Sequence, residues 1–482
     1  MQVEQWDIFE LVLGGPQSPN PFVDVTLAAD FRFGHRVLSP EGFYDGDGIY
    51  RIRFMPDAEG RWTYTTRSSV AALDGLTGEF ECTAPSAANH GPVRVHKEMH
   101  FAYADGTPYY PFGTTCYAWT HQGDALEEQT LQTLAAAPFN KLRMCVFPKD
   151  YIYNANEPVY HPYAVGEDGA YDFSRFNPAF WRHFEQRVAQ LRDLGIEADI
   201  IVFHPYDRWG YARMSPAEDD RYLHYLVARL GAYRNVWWSL ANEYDFLLDV
   251  KPMERWDHAF RLIQELDPAG HLRSVHNGDP RMNYDHTKPW VSHVCIQNFA
   301  VDQVRQWRKL YHKPIINDEC QYEGNIPLPW GNISAHELVH RFWVMVVNGG
   351  YAGHGETYLH PEDLLWWAKG GVLRGESAPR IGFLRRLIEE LPPGGLQPFD
   401  GATWPWVVVA GAAAGDTRLF YFGENQPAAW TFGLPTGVPY TVEVIDTWNM
   451  TIERVGDIWQ DVGEIPGPNR PYCALRLRTL DA

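Results

Sequence analysis

Long hydrophobic runs are missing from this chain of 482 residues. No stretch approaches the ~20 apolar residues of a membrane-crossing helix, so no membrane partner is expected. Cysteine is sparse and scattered: Cys82, Cys116, Cys145, Cys295, Cys320 and Cys473 form no CxxC pair, which excludes the common thiolate zinc and dithiol motifs. Four of the six fall in expected core strands, where a free thiol behaves as a small hydrophobe and favours a reducing compartment. Basic charge is also short. With 41 Lys+Arg against 61 Asp+Glu and a net charge of −20, the chain lacks the basic patches that bind a phosphate backbone, and nucleic acid is not expected as a partner. The opening MQVEQWDIFE has neither a basic n-region nor an apolar h-region, so the expected location is cytoplasmic. Internal repeats and low-complexity tracts are likewise absent.

What is abundant is aromatic surface: 15% of residues, with 19 Trp. Sugar rings present flat C–H faces that pack on indole and phenol rings, so a carbohydrate site would use this surplus; large aromatic cores account for it equally well. Hydrophobic content of 45% against 21% charged describes a globular protein, and the length suits two or three domains.

Residues 1–92 read as short alternating strands (FELVLGG, VDVTLAADFRFG, IYRIRFMP, GRWTYTTRS, GEFECTA) separated by Gly, Pro and Asp. That pattern predicts an Ig-like β-sandwich. Across 93–393 apolar strands alternate with amphipathic helices, the signature of parallel βα units. Eight strands are expected, at 108–119, 140–147, 196–204, 235–242, 271–276, 293–298, 314–319 and 350–358, with helices such as 178–195, 221–234, 301–312 and 334–348. This spacing predicts a (β/α)8 TIM barrel. The gap 148–177, rich in Tyr, Asn, Pro and Gly, is expected as a lid-like loop over the mouth. Beyond LPPGG, residues 394–482 return to alternation (PWVVVAG, TRLFYFG, YTVEVIDTWN, YCALRLRTL) and predict a C-terminal antiparallel β-domain.

One segment, 235–246 (NVWWSLANEYDF), ends an apolar run in Asn242 and Glu243. In such a barrel the site lies at the C-terminal strand ends, which places both groups in the mouth. Other strand ends bring Tyr117, Trp119 and Arg143, then His204, Asp207 and Trp209, then His276 and Gln297, and finally Glu319, Tyr322, Glu323, His354 and Glu356. Glycoside hydrolysis needs two carboxyl groups flanking one sugar, one of them protonated and the other ionised. Strands four and seven face each other across an eight-strand ring, so their ends can supply the pair.

Here the chain resembles a clan A glycoside hydrolase, whose acid/base is the Glu of an Asn-Glu pair ending strand four and whose nucleophile is a Glu ending strand seven. The stretches GFYDGDGIYRIRFMPDAEGRWTY, GTPYYPFGTTCYAW, KPIINDECQYEGN and NGGYAGHGETY are similar to the apiosidase-like group, otherwise named as endoglucanases by inference, with its leading β-sandwich of unknown function and trailing β-domain. The resemblance implies Glu243 as acid/base, Glu319 as nucleophile and Asn242 on the sugar 2-hydroxyl. It implies a retaining mechanism, with carboxyl groups roughly 5–5.5 Å apart, on a carbohydrate substrate and with no cofactor or metal. Many clan members place a Tyr at the end of strand six against the nucleophile; here that strand ends CIQNF, and Tyr322 is a candidate replacement.

Alternatives stay open at several positions. Glu323 competes with Glu319, and Arg143 serves either the sugar or a carboxylate. Trp119, Trp209, Trp366 and Trp367 are stacking platforms or core. Residues 336–340, HELVH, match the HExxH zinc-protease pattern; its helix follows strand seven and should lie outside the barrel, with Glu356 or Glu362 as the third ligand. A non-catalytic carbohydrate-binding protein is a third reading. A homo-oligomer is a possible assembly.

Overall fold

Alternation in the first ninety residues becomes two facing sheets in the computed structural model, which describes all residues except 18, 168, 401–408, 415–416, 432–436, 457, 461–463 and 481–482. Five strands lie in the order Gln2–Glu4, Thr77–Thr83, Gly60–Ser68, Leu27–Phe33 and Arg36–Leu38, and three in the order Phe9–Gly14, Ile49–Phe54 and Gly42–Tyr44. Their inward residues make an aromatic core: the rings of Phe31 and Phe54 stack at 4.1 Å and those of Phe9 and Phe80 at 4.2 Å.

The central region is an eight-stranded parallel sheet. Its strands are Gly113–Thr115, Lys141–Cys145, Glu197–Phe203, Val236–Ala241, Arg273–Ser274, Val294–Gln297, Ile315–Glu319 and Tyr351–His354. Strand one pairs with strand eight, and the ladder continues in both directions as far as strands five and six. Between those two no ladder forms among the described residues. One main-chain bond and two side chains stitch the gap instead. The Ser292 amide donates to the Arg273 carbonyl at 2.9 Å, its hydroxyl bonds the Arg273 backbone twice, and the Asn277 amide bonds both backbone groups of Gln297. The connection leading into this gap, VHNGDPRMNYDHTKPW, contains no described helix. Its Gly, Asn and Pro residues favour turns.

Helices follow the other strands, and two carry clear local signals. Pro216–Leu230 begins with a capping box in which Ser215 and Glu218 bond each other's backbone. Pro178–Asp193 starts at Asn177, whose side chain accepts from the Ala179 amide, with Pro in the first turn. A small sheet (Val93–His96, His100–Tyr103, Pro108–Tyr109) plugs the barrel bottom, where Phe101 and Tyr109 pack on Trp237. The segment expected as a lid holds a hairpin, Tyr163–Val165 with Tyr171–Phe176. The N-terminal sandwich pins that hairpin: Asn20 Nδ2 donates to Ser174 Oγ at 2.9 Å.

Barrel strands are less uniformly apolar inside than their composition suggests. Lys141 Nζ lies 2.7 Å from Asp199 and 2.8 Å from Asp318, all three buried. Such buried charges persist only when paired.

The C-terminal domain is an antiparallel sheet in the order Gln397–Pro398, Val409–Ala412, Arg418–Tyr421, Cys473–Thr479, Tyr440–Asp446 and Thr451–Arg454. Residues 405–408 of the expected strand PWVVVAG lie outside the described residues. This sheet packs on the helix Ala335–Val347, and there the HELVH segment finds its use. His336 stacks on Trp448, His340 Nδ1 meets the Tyr421 hydroxyl at 3.0 Å, and Glu337 pairs with Arg341 at 2.8 Å. The zinc-protease reading is corrected: these side chains are committed to a domain contact outside the barrel. No helix among the described residues is long and apolar enough to cross a membrane.

Candidate active site

Strand four is buried along its whole length, and the chain then turns sharply. Glu243 has φ 54° and ψ 54°, a left-handed conformation that non-glycine residues adopt rarely and that clusters at functional sites. The turn aims its carboxyl into the mouth, where Tyr206 donates its hydroxyl proton to Oε2. Gly278 lies against it: a Cβ there would meet Glu243 Cγ at 3.0 Å and the Phe246 ring at 2.6 Å. Burial, and next the charge on Glu319, push the Glu243 carboxyl up to about 7.

Glu319 ends strand seven with a different environment. Tyr117 donates its hydroxyl proton to Oε1. Arg143 Nη1 lies 3.4 Å and His276 Nε2 3.3 Å from the same oxygen. Burial opposes ionisation here too, but His276, Arg143 and Tyr117 outweigh it and hold the carboxyl down at about 2. The His276 imidazole is itself pushed below its ordinary value, by burial and by the charge of Arg143. Two carboxyl groups in one mouth therefore differ widely in proton affinity, the condition for one acid and one nucleophile.

Asn242 is fixed between them. Its Oδ1 is 3.0 Å from the Tyr117 hydroxyl and 3.2 Å from Arg143 Nη2, which leaves Nδ2 to donate elsewhere. Arg143 thus touches Glu319, Asn242 and Tyr117 at once, with Asp199 3.8 Å behind it.

These five residues and Glu243 come together; other candidates do not. Trp119 is wholly buried in the barrel core, which corrects its expected role as a sugar platform. Glu323 is corrected as well: it is buried, accepting from Tyr358 at 2.8 Å and from the amides of Glu376 and Ser377, where it caps the helix Ser377–Glu389. Glu356 accepts from the amides of Arg374 and Gly375 beside it, and His354 bonds Thr114 Oγ1 at 2.8 Å under Phe139. Those three groups are near enough to suggest a metal site, yet both carboxylates are already taken by amides. A second such group, Asp124, Glu127 and His183, is paired instead with Arg187.

His204 is buried and bonds the Phe147 carbonyl. Asp207 accepts from the Trp209 and Ala212 amides, and Trp209 bonds Glu157 in the hairpin segment. Gln297 holds the Gly278 carbonyl at 3.1 Å. Tyr322 is buried in a cluster with Tyr117 and Trp367. The tyrosine bonded to Glu319 is Tyr117 of strand one, not Tyr322. Tyr206, at the end of strand three, is expected in the mouth from its position, and the structure sets its hydroxyl on Glu243. One group of the mouth was not singled out from the sequence: Lys149, which follows Pro148 just beyond strand two. A lysine in the otherwise apolar run CVFPK is the signal that would have found it.

Comparison with known proteins fits this geometry. The apiosidase-like catalytic domain matches residues 95–392, flanked by domains of unknown function DUF5060 over 2–69 and DUF5605 over 406–478. A crystal structure from Bacteroides vulgatus ATCC 8482, of a protein inferred to be a glycoside hydrolase, is 39% identical, with TM-score 0.94 over 99% of this chain and 100% of that one. A family 5 glycoside hydrolase from the same organism shares the fold at 16% identity, with TM-score 0.64 over 82% of this chain and 94% of that one. No curated protein matches. The chain belongs to the apiosidase-like catalytic-domain family and is a glycoside hydrolase.

Proposed function

We propose that this hydrolase cleaves an O-glycosidic bond with retention, by double displacement between Glu319 and Glu243. What supports this most is the pair of carboxyl groups in unequal surroundings: Glu319 gripped by His276, Arg143 and Tyr117 and held down at about 2, and Glu243 pushed up to about 7 by burial and by the charge on Glu319. Glu319 attacks the anomeric carbon as Glu243 gives its proton to the departing oxygen; a glycosyl ester forms. Water then loses a proton to Glu243 and displaces Glu319. Asn242, with its Oδ1 engaged, turns Nδ2 towards the sugar 2-hydroxyl. The flanking β-domains and the hairpin in 148–177 suit a terminal residue or a short glycoside. All six cysteines are free and buried, which supports a reducing, cytoplasmic setting.

The test is trapping with 2-deoxy-2-fluoro glycosides of several configurations, read by mass spectrometry, together with the anomer released in the first turnovers. Label on Glu319, its loss in Glu319→Gln and a retained anomer are expected. Label on Glu323, or an inverted product, would overturn the assignment.

A further inference from the structure

Lys149 stands apart from the other buried cations inside the barrel. Lys141 is paired with Asp199 and Asp318, and Arg143 with Glu319 and Asp199. Lys149 is 4% exposed, and among the described residues nothing accepts a hydrogen bond or forms an ion pair with its Nζ. Aromatic faces hold the ammonium instead: the ring centres of Tyr117, Tyr206, Trp367 and Tyr151 lie 3.8, 4.4, 5.1 and 5.4 Å away. Two of those rings carry the hydroxyls that grip the carboxyl groups, Tyr117 on Glu319 and Tyr206 on Glu243. The ammonium therefore lies against both rings whose hydroxyls hold the two glutamates, without being bonded to either carboxyl.

Resting on the two-glutamate reading above, we propose that Lys149 is a positioning residue, the fixed counter-charge that Glu319 and Glu243 share in turn, and that the site takes an uncharged glycone. The charge arithmetic runs through the reaction. When the glycosidic C–O bond breaks, an oxygen of Glu319 bonds the anomeric carbon and loses its charge, while Glu243 passes its proton to the leaving oxygen and gains one. Water reverses both changes. One carboxylate faces Lys149 at every stage, so the cation never needs a new partner. Lys141, Arg143 and Lys149 then balance Asp199, Asp318 and whichever glutamate is ionised. Asp245, beside Glu243, accepts from the amides of Gly278 and Asp279 and still adds a negative charge that Glu243 feels. The site therefore has no positive charge to spare for a uronate.

The titratable groups facing Lys149 are Cys145, Glu243, Glu319, Arg143 and His204, with the ring hydroxyls of Tyr117, Tyr151 and Tyr206. Removing the positive charge disfavours the ionised form of both glutamates. In substrate-free protein carrying carbon-13 at the glutamate carboxyls, assigned with Glu243→Gln and Glu319→Gln, Lys149→Met should raise both titrations by roughly one pH unit. Lys149→Arg should leave them near their wild-type positions. Unmoved titrations in folded Lys149→Met, or equal shifts in both variants, would overturn the proposal. If Lys149→Met does not fold, the nitrogen-15 signal of the wild-type Lys149 amine decides: a neutral amine at pH 7 sinks the idea and an ammonium supports it. None of these measurements needs a sugar, so they stand whether or not the trapping experiment labels Glu319. For the glycone, 4-nitrophenyl uronides should turn over at least a hundredfold more slowly than the matching neutral glycosides; a preference for the uronides would refute the neutral-site claim.

Discussion

Replacing Tyr117 with phenylalanine removes one oxygen and keeps the ring that packs beneath Lys149 and against Trp367. That oxygen gives its proton to Glu319 and lies 3.0 Å from Asn242 Oδ1 and 3.3 Å from Arg143 Nη1. A hydrogen bond to a charged group contributes about 1.5–3 kcal/mol, and each pKa unit corresponds to about 1.4 kcal/mol. The Glu319 carboxyl should therefore rise from about 2 by roughly one to two units. The sign follows from the proposed mechanism, in which Glu319 works ionised: activity is lost as pH falls through its pKa. In the wild type that loss lies below the range in which most proteins stay folded. In Tyr117→Phe it should appear between about pH 3 and 4 as a new acid limb, with kcat/KM at neutral pH down about ten- to a hundredfold. The assay is kcat/KM on an aryl glycoside from pH 3 to 9, with circular dichroism at each pH to separate titration from unfolding. A folded variant with wild-type kcat/KM and no acid limb would refute the claim that this hydroxyl stabilises the nucleophile.

Two other substitutions bear on the scaffold. Arg143→Met leaves Glu319 without its cation, while Asp199 keeps Lys141 at 2.7 Å, and breaking a buried pair costs about 3–5 kcal/mol; urea unfolding should register a loss of that size together with loss of turnover. The double change His336→Ala and His340→Ala should leave kcat/KM within about twofold of wild type, because both rings serve the C-terminal contact, while thermal unfolding falls by a few degrees for about 1 kcal/mol lost. Turnover that disappeared and returned with added zinc would reverse that assignment.

The barrel and its two glutamates were legible because each rests on a local pattern. An apolar run that stops at Asn242-Glu243 or Asp318-Glu319 says where a strand ends, and barrel geometry says which way the end faces. What surrounds them was not legible, because radial pairing inside a ring joins residues far apart in sequence. Lys141 meets Asp199 and Asp318 across 58 and 177 positions, and no periodicity announces such a contact. The same blindness explains Glu323, which reads as a second strand-end acid until the amides of Glu376 and Ser377, more than fifty positions on, are seen to claim it. Trp119 misled differently: it lies in the mouth-forming segment, yet its indole is covered on all sides.

The unladdered joint between strands five and six has a mechanical meaning. Seven of the ring's junctions are riveted by main-chain ladders, whereas this one hangs on Ser292 and Asn277, with a single main-chain bond from Ser292 to Arg273. It is the hoop's clasp, and it lies beside His276 and Gly278, which border Glu319 and Glu243. Loosening Ser292 or Asn277 would slacken the grip on both reacting groups before any other stave shifted.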